Sequence, residues 1–531
     1  MKRSKFLKDF FWKAIVVGLT IIMFLQIYLL FKQFLRFEKG TSIKAVLKNR
    51  LEFPAVTICS PNKMLKSTIE VGNKYWPLAY IDKYEDLKFN NKLPEFFGAD
   101  DRASYAPPLQ ICKYGEFECE YNLCVDKSML CPVKLLPCAR YSNETCNNYF
   151  TLSYNLRRKK SIDDKEKIKK WLDMYVSSTS DNYEDIQERM TISREDLDTH
   201  GHELEEFITQ CTFRGSNCSQ FKKPFKDVFT LEYGKCFRFE PDPENRTITI
   251  PGRKQGLSIT IFVNTSDGLG LLSHSEGVFI AVHEYGSTPD YSRQQLLFKP
   301  GVEALIGINQ KEIHLVSLAS YRDCNINWDS IPWKPHIQIK YTQSECQRYC
   351  VDNQIQKFCN CTEMMNQKSS SPLCDSLDEH QWQCRKHHSE HSCGASVNKI
   401  CKPACFSKSY EVNWFEHTWP TMNFYPFVMN KLFQSVFPFS AEAMPKSMSK
   451  ENKLALIQKH FLRVHIFFED MIVEELNEYV VYSFNAFLSD LGGTMGLYAG
   501  VSIIGIMLLL RDAMKYIRKC LKVKKDRCAK L

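Results

Sequence analysis

Two apolar runs stand near opposite ends of the chain, with a long stretch of mixed polarity between them. The first, Ala14–Phe31, reads AIVVGLTIIMFLQIYLLF and holds no charged residue. With some flanking chain it covers about 30 Å of hydrocarbon, so a transmembrane helix is expected over residues 14–36. It exceeds the apolar part of a signal peptide and no small-residue cleavage site follows, so an uncleaved span is expected. The second run, Phe484–Leu510, carries one charge, Asp490, near its start, and predicts another membrane helix within 481–510. Between the runs, alternating apolar stretches predict strands at LSITIFVN (257–264), GVFIAVHEY (277–285), HIQIKY (336–341) and LRVHIFFED (462–470). Helices are expected in the charged segment around Lys159 to Phe207, and at Lys450–Phe461 behind a capping serine, Ser449. The run RRKKSIDDKEKIKK reads as a solvated helix rather than a binding patch. The mixture gives an α+β fold class, with about 440 residues available to bury a core.

Cysteine usage fixes the topology. Twenty of the 22 cysteines lie between the two runs, and a cysteine-dense chain belongs in an oxidising compartment. Residues 37–480 are therefore expected outside the cell. Basic residues flank both spans: Lys2, Arg3, Lys5, Lys8 and Lys13 before the first, and Arg511 to Lys530 after the second. The positive-inside rule then places 1–13 and the basic tail 511–531 in the cytoplasm of a multi-pass plasma-membrane protein. Much of the net charge of +9 sits in these tails and reads as contact with anionic lipid, not nucleic acid. Glycosylation sequons at Asn143, Asn217, Asn245, Asn264 and Asn360 all fall on the outer side. Cys520 and Cys528 fall inside and are candidates for palmitoylation.

The second apolar run is unusual in its small residues. FNAFLSDLGGTMGLYAGVSIIGIMLLL places Ser489, Gly492, Gly493, Gly496, Gly500 and Ser502 on one segment. Such spacing serves equally as a seam for close helix packing or as the lining of a pore. Asp490 is costly within a membrane unless paired or wet. No nucleophile elbow, HExxH or phosphate loop occurs, so an enzyme is not indicated. CNC at 359–361 with His387, His388 and His391 has the donors of a zinc cluster, but disulfides are expected in an oxidising compartment, and CRKHHSEHSC reads as a polar loop. No cofactor or resident metal is expected.

Three stretches carry a family resemblance: LEFPAVTICS (51–60), CTFRGSNCSQFKKPFKDVFTLEYGKCFRF (211–239) and LSDLGGTMGLYAGVS in the second run. In this order, between and within two spans, they resemble the degenerin/epithelial sodium channel superfamily, related to acid-sensing ion channels. The resemblance implies a trimeric, voltage-independent, sodium-selective, amiloride-sensitive cation channel with permeant Na+, either a homotrimer or a heterotrimer with related subunits. It implies a clenched-hand extracellular domain with a β-sheet palm. The selectivity filter falls on Gly500, Val501 and Ser502, where an interrupted helix can aim carbonyls and a hydroxyl at a cation. Pore and gating positions fall on Ser489, Asp490, Gly493 and Gly496, and a wrist contact on Phe37 and Tyr321. The rival of another class is a membrane-held receptor or adhesion protein; a non-conducting regulatory subunit is a further alternative.

The same resemblance implies the disulfides. Cys112, Cys119, Cys124, Cys131, Cys138 and Cys146, with Phe117, are similar to a low-density-lipoprotein-receptor class A module over 111–147. Its pattern pairs Cys112–Cys124, Cys119–Cys138 and Cys131–Cys146, but Glu144 is the only acid where Ca²⁺ would need several oxygens, which argues against calcium. The family pattern adds Cys59–Cys236 and Cys211–Cys218. It also adds a thumb over 324–410 with Cys324–Cys405, Cys346–Cys401, Cys350–Cys393, Cys359–Cys384 and Cys361–Cys374. Three departures stand out: no His-Gly pair precedes Ala14, Leu508 stands where the family has an acid, and Lys39 replaces a histidine of the acid-sensing members. Gating by a peptide, by force or constitutive opening is then expected over gating by protons. His283 and Glu284 leave room for some pH sensitivity.

Overall fold

The computed structural model describes residues 2–69, 117–120, 123–126, 191–269, 273, 275–291, 296–317, 323–335, 338–363, 371–375, 378–391, 393, 399–429, 449–500, 502, 505, 507–508 and 510–515. They divide into two compact units. One comprises residues 1–44, 314–324 and 476–531; the other comprises 45–313 and 325–475.

The larger unit is built on two sheets. In the first, Leu257–Phe262 pairs antiparallel with Phe461–Phe468 on one side and with Ile208–Phe213 on the other. Val302–His314 runs parallel to Phe461–Phe468, and Phe406–Thr418 pairs with it in turn. Ser216–Asn217 lies at one margin, and Ile472–Val480 and Lys39–Leu47 follow at the other. In the second sheet the order is Leu296–Phe298, Val278–His283, Ala55–Cys59, Gly234–Phe239 and Phe225–Thr230. Ala55–Cys59 and Val278–His283 are buried at every position, so both read as continuous apolar runs rather than alternating ones.

Two of the motif stretches, LEFPAVTICS and 211–239, meet in one core. Phe53, which opens FPAVTIC, has its ring 5.0 Å from Phe213, 6.3 Å from Phe239 and 6.2 Å from Phe468. All four are buried, and edge-on ring contacts of this kind add to the area they remove from water. Cys59 stands opposite Cys236 in the ladder, and the two are bonded with Cα atoms 4.4 Å apart.

The described residues between 342 and 405 include two helices tied by disulfides. Gln343–Cys359 is capped by Thr342, whose hydroxyl accepts the Glu345 N–H, and ends at Asn360 in the left-handed region. Glu379–His391 is also a helix, which corrects the expectation of a polar loop at 384–393. Asp378 Oδ1 accepts the N–H groups of His380 and Gln381, Trp382 is buried, and Cys384 and Cys393 anchor it to the first helix. The expected strand HIQIKY is a second correction: residues 338–341 are not strand. Ile339 O accepts from the Trp328 indole and Lys340 N–H donates to Gly286 O, so this backbone bonds to a side chain and a turn instead of a ladder.

In the smaller unit, one helix runs Lys2–Phe34, and Phe10–Phe34 is long and apolar enough to cross a membrane. It begins earlier than the expected 14 and stops before 36, because Phe37 takes φ 49° and a strand starts at Lys39. The helix Lys450–His460 of the larger unit starts at Ser449 as expected, the serine accepting Asn452 N–H. The helical segment expected over 159–207 is seen as Arg194–His200 and Leu204–Phe207; residues 159–190 lie outside the described residues.

Candidate pore segment

The helix Phe484–Ala499 begins at Ser483, whose hydroxyl accepts the Ala486 N–H, and has two faces. Phe487 and Thr494 are buried on one. The Phe487 ring lies 4.9 Å from Phe31 and 4.8 Å from Phe34 of the first helix. Ser489, Gly493, Gly496 and Gly500 fall within about 60° of one another on the opposite face, at 3.6 residues per turn. All four are exposed. Gly492 and Gly493 have no heavy atom within 4 Å of where a Cβ would stand. Asp490 flanks this stripe, its Oδ2 accepting the Tyr482 hydroxyl at 2.7 Å, and its backbone carbonyl takes the Thr494 hydroxyl.

The helix stops at Gly500. That residue is left-handed (φ 62°), and its N–H closes back on Gly496 O at 3.0 Å. Ser502 Oγ then accepts the Gly505 N–H at 3.0 Å in the manner of an N-terminal cap, and the described residues 505, 507–508 and 510–515 are helical. Among the described residues, Gly500 and Ser502 are therefore non-helical between the helix Phe484–Ala499 and helical backbone at 505. Carbonyls at the end of that helix have no intrahelical donor, and its dipole places partial negative charge there. Ser502 Oγ keeps a second lone pair after the cap bond. Carbonyl and hydroxyl oxygens at a helix break are the hard donors a partly dehydrated alkali cation needs. Val501 lies outside the described residues; Leu508 is exposed.

A family model of the amiloride-sensitive sodium channel matches residues 1–510. The chain belongs to the amiloride-sensitive sodium channel family. It is 22% identical to the epithelial sodium channel subunit alpha of Xenopus laevis over 97% of this chain and 78% of that protein. It is 26% identical to the degenerin-like protein asic-1 of Caenorhabditis elegans over 57% of this chain, which spans 35% of that protein. It is 24% identical to human acid-sensing ion channel 2 over 61% of this chain and 59% of that protein. Family members are ion channels of the plasma membrane, not enzymes, and assemble from related subunits.

The remaining expected residues of this sodium channel family member are placed as follows. Six disulfides join Cys59–Cys236, Cys211–Cys218, Cys346–Cys401, Cys350–Cys393, Cys359–Cys384 and Cys361–Cys374. Cys324 and Cys405 are also disulfide-bonded. Phe117–Glu120 and Leu123–Asp126 form a two-stranded ladder with Cys119 opposite Cys124. The bonds expected of the class A-like insertion, and Asn143, lie outside the described residues. Phe37 is 39% exposed with its ring 5.9 Å from Phe34, and Tyr321 lies outside the described residues. Asn217 and Asn360 are exposed; Asn245 and Asn264 are half-buried.

At the CNC cysteines the structure has the expected disulfide, and at His283 the expected pH sensitivity is corrected. Cys359, Cys384 and His388 bring three metal-type donors together, but the two sulfurs are bonded to each other and the His388 ring lies flat on Phe358 at 4.7 Å. Oxidised sulfurs offer no thiolate to zinc. His283 is fully buried, with Nε2 2.8 Å from Thr57 Oγ1 and Nδ1 3.3 Å from Ser287 Oγ. Burial, helped by Arg238, pushes its pKa down to about 3, so it does not charge near neutrality. Burial likewise holds His202, His460 and His465 at about 4. Sequence reasoning also missed Tyr482 as the partner of Asp490; an eight-residue spacing across a helix cap carries no periodic signal.

Proposed function

We propose that the chain is a subunit of a sodium-type cation channel whose ions pass the helix break at Gly500–Ser502. The observation that carries this reading is the break itself, placed at the end of an exposed glycine stripe in an apolar helix. A packing seam requires small residues but no interruption; a cation site requires freed oxygens, and the interruption supplies them. In this reading the Phe484–Ala499 helix lies in the membrane beside Lys2–Phe34, with both termini in the cytoplasm. Ser489, Gly493 and Gly496 line the pore, and Asp490 concentrates cations at its outer mouth. Assembly is with copies of itself or related subunits. Because the four buried histidines stay neutral across the physiological range, gating by a peptide, by force or constitutive opening fits better than gating by protons.

Whole-cell recording tests this directly, with the chain expressed alone and with a related subunit. The expected result is an amiloride-blocked inward current that disappears when sodium is replaced by a large organic cation. It should not be evoked by a step from about pH 7.4 to about pH 5.5. Absence of current in both settings, with the protein at the surface, returns the reading to a receptor or adhesion protein.

A further inference from the structure

Four of the sequons fall on described residues, and the fold treats them differently. Asn217 ends the two-residue strand Ser216–Asn217, at one margin of the first sheet. Its Oδ1 accepts the Ser219 N–H at 2.9 Å, an Asx turn that fixes the carboxamide locally. Asn217 and Ser219 are exposed, while Cys218 between them is buried and bonded to Cys211. Asn360 caps the helix Gln343–Cys359 in the left-handed region, with φ 56°. It too is exposed, although its neighbours Cys359 and Cys361 are buried in separate disulfides. The two sequons share one pattern: the residue after the asparagine is a buried, bonded cysteine that anchors the backbone and leaves the asparagine in solvent.

Asn264 is also left-handed, with φ 50°, but its side chain is used inside the fold. Nδ2 donates to Asp267 Oδ2 at 3.3 Å, and Oδ1 is buried. Asp267 is itself buried and accepts both the backbone N–H and the hydroxyl of Ser67. On either side, Val263 N–H donates to His460 O and Thr265 Oγ1 lies 3.4 Å from His460 Nδ1. A saccharide on this nitrogen would have to displace packed chain or bury hydroxyls without partners, and either is costly. Asn245 is half-buried in a turn closed by its N–H on Asp242 O, and offers neither feature.

We propose that Asn217 and Asn360 carry N-linked glycans in the folded protein and that Asn264, with the same consensus, does not. The co-substrate is a lipid-linked oligosaccharide diphosphate. The bond from sugar C1 to the diphosphate breaks, a bond from C1 to the asparagine Nδ2 forms, and the amide proton leaves with the lipid diphosphate. The hydroxyl of the Asn360 consensus belongs to Thr362, which is buried and donates to Asp352 Oδ1 at 2.9 Å. Transfer at Asn360 therefore precedes folding of that segment, whereas Ser219 of the Asn217 consensus stays exposed. A glycan at Asn217 also covers a sheet margin, where an uncovered strand invites pairing with another chain. The inference rests on the outer placement of residues 37–480 and not on conduction.

The full-length protein is expressed in mammalian cells, captured from the cell surface and digested. Enzymatic release of glycans in heavy-oxygen water turns each occupied asparagine into a marked aspartate, which mass spectrometry counts site by site. The mark is expected at Asn217 and Asn360 in most molecules and at background level at Asn264. On a gel, Asn217→Gln and Asn360→Gln should each lose the mass of one glycan, the double variant two, and Asn264→Gln none. Marking of Asn264 at the level of the other two, or an unmarked Asn217 or Asn360, overturns the inference. If every sequon is unmarked, Asn143 included, the outer placement falls with it. The parent count needs no substitution, so a variant that fails to fold still leaves the outcome decided.

Discussion

At Gly500, a Cβ would meet nothing within 4 Å, so space alone admits alanine; the φ of 62° does not. Left-handed backbone costs an L-residue about 1 kcal/mol, enough to favour continuing the helix through the break. The small-residue pattern marked this position in the sequence, but the left-handed turn and the Ser502 cap are conformations that no spacing reveals. His283 shows the opposite limit. GVFIAVHEY gave its strand correctly, yet nothing in the string says that the ring would be sealed between Thr57 and Ser287. The consequence has a sign. Its folded pKa of about 3 lies below the ordinary 6.5, so the unfolded chain binds the extra proton between those values. Stability from this residue is complete above about pH 6.5 and lost as pH falls toward 3, at about 1.4 kcal/mol per pH unit. Thermal unfolding of the purified protein across this range should depend on pH less steeply in His283→Gln than in the parent, by about that slope, the other buried histidines contributing equally to both.

Among the elements, those with a strong local signal were legible. The strands Leu257–Phe262, Val278–His283 and Phe461–Phe468, and the helix behind Ser449, follow from periodicity and capping. Where tertiary ties decide, local reading failed. CRKHHSEHSC has a polar composition that suits a loop, but an Asp378 cap and two disulfides hold it helical beside Gln343–Cys359. HIQIKY alternates like a strand, but a tryptophan and a turn take its backbone bonds. The disulfides themselves came from family likeness, since connectivity is not a local property. They should not be equal in effect. Cys346–Cys401 closes 55 residues and Cys211–Cys218 only 7. Loop-closure entropy gives about 4 kcal/mol for the first and about 2.4 kcal/mol for the second. Replacing each pair by serines and measuring denaturant midpoints checks the order; equal losses would mean that native packing, not chain entropy, sets their worth.

Over the whole molecule, two apolar runs with a cysteine-rich stretch between them were legible, while the meeting of distant residues was not. Lys39 and Glu478 lie at opposite ends of the chain, and only folding brings them to 3.5 Å. The same holds for Phe31 and Phe487, which join the two apolar helices. The account's central claim is that cations pass the break across Gly500–Ser502 and are sorted there. Reversal potentials under paired sodium and potassium solutions test it most directly, comparing the parent with Ser502→Ala and Gly500→Ala at equal surface expression. The account predicts sodium preference in the parent and a shift toward equal permeability in both variants, larger for Gly500→Ala because it also closes the break. Unchanged reversal potentials in conducting variants would contradict it and place the selective site elsewhere in the molecule.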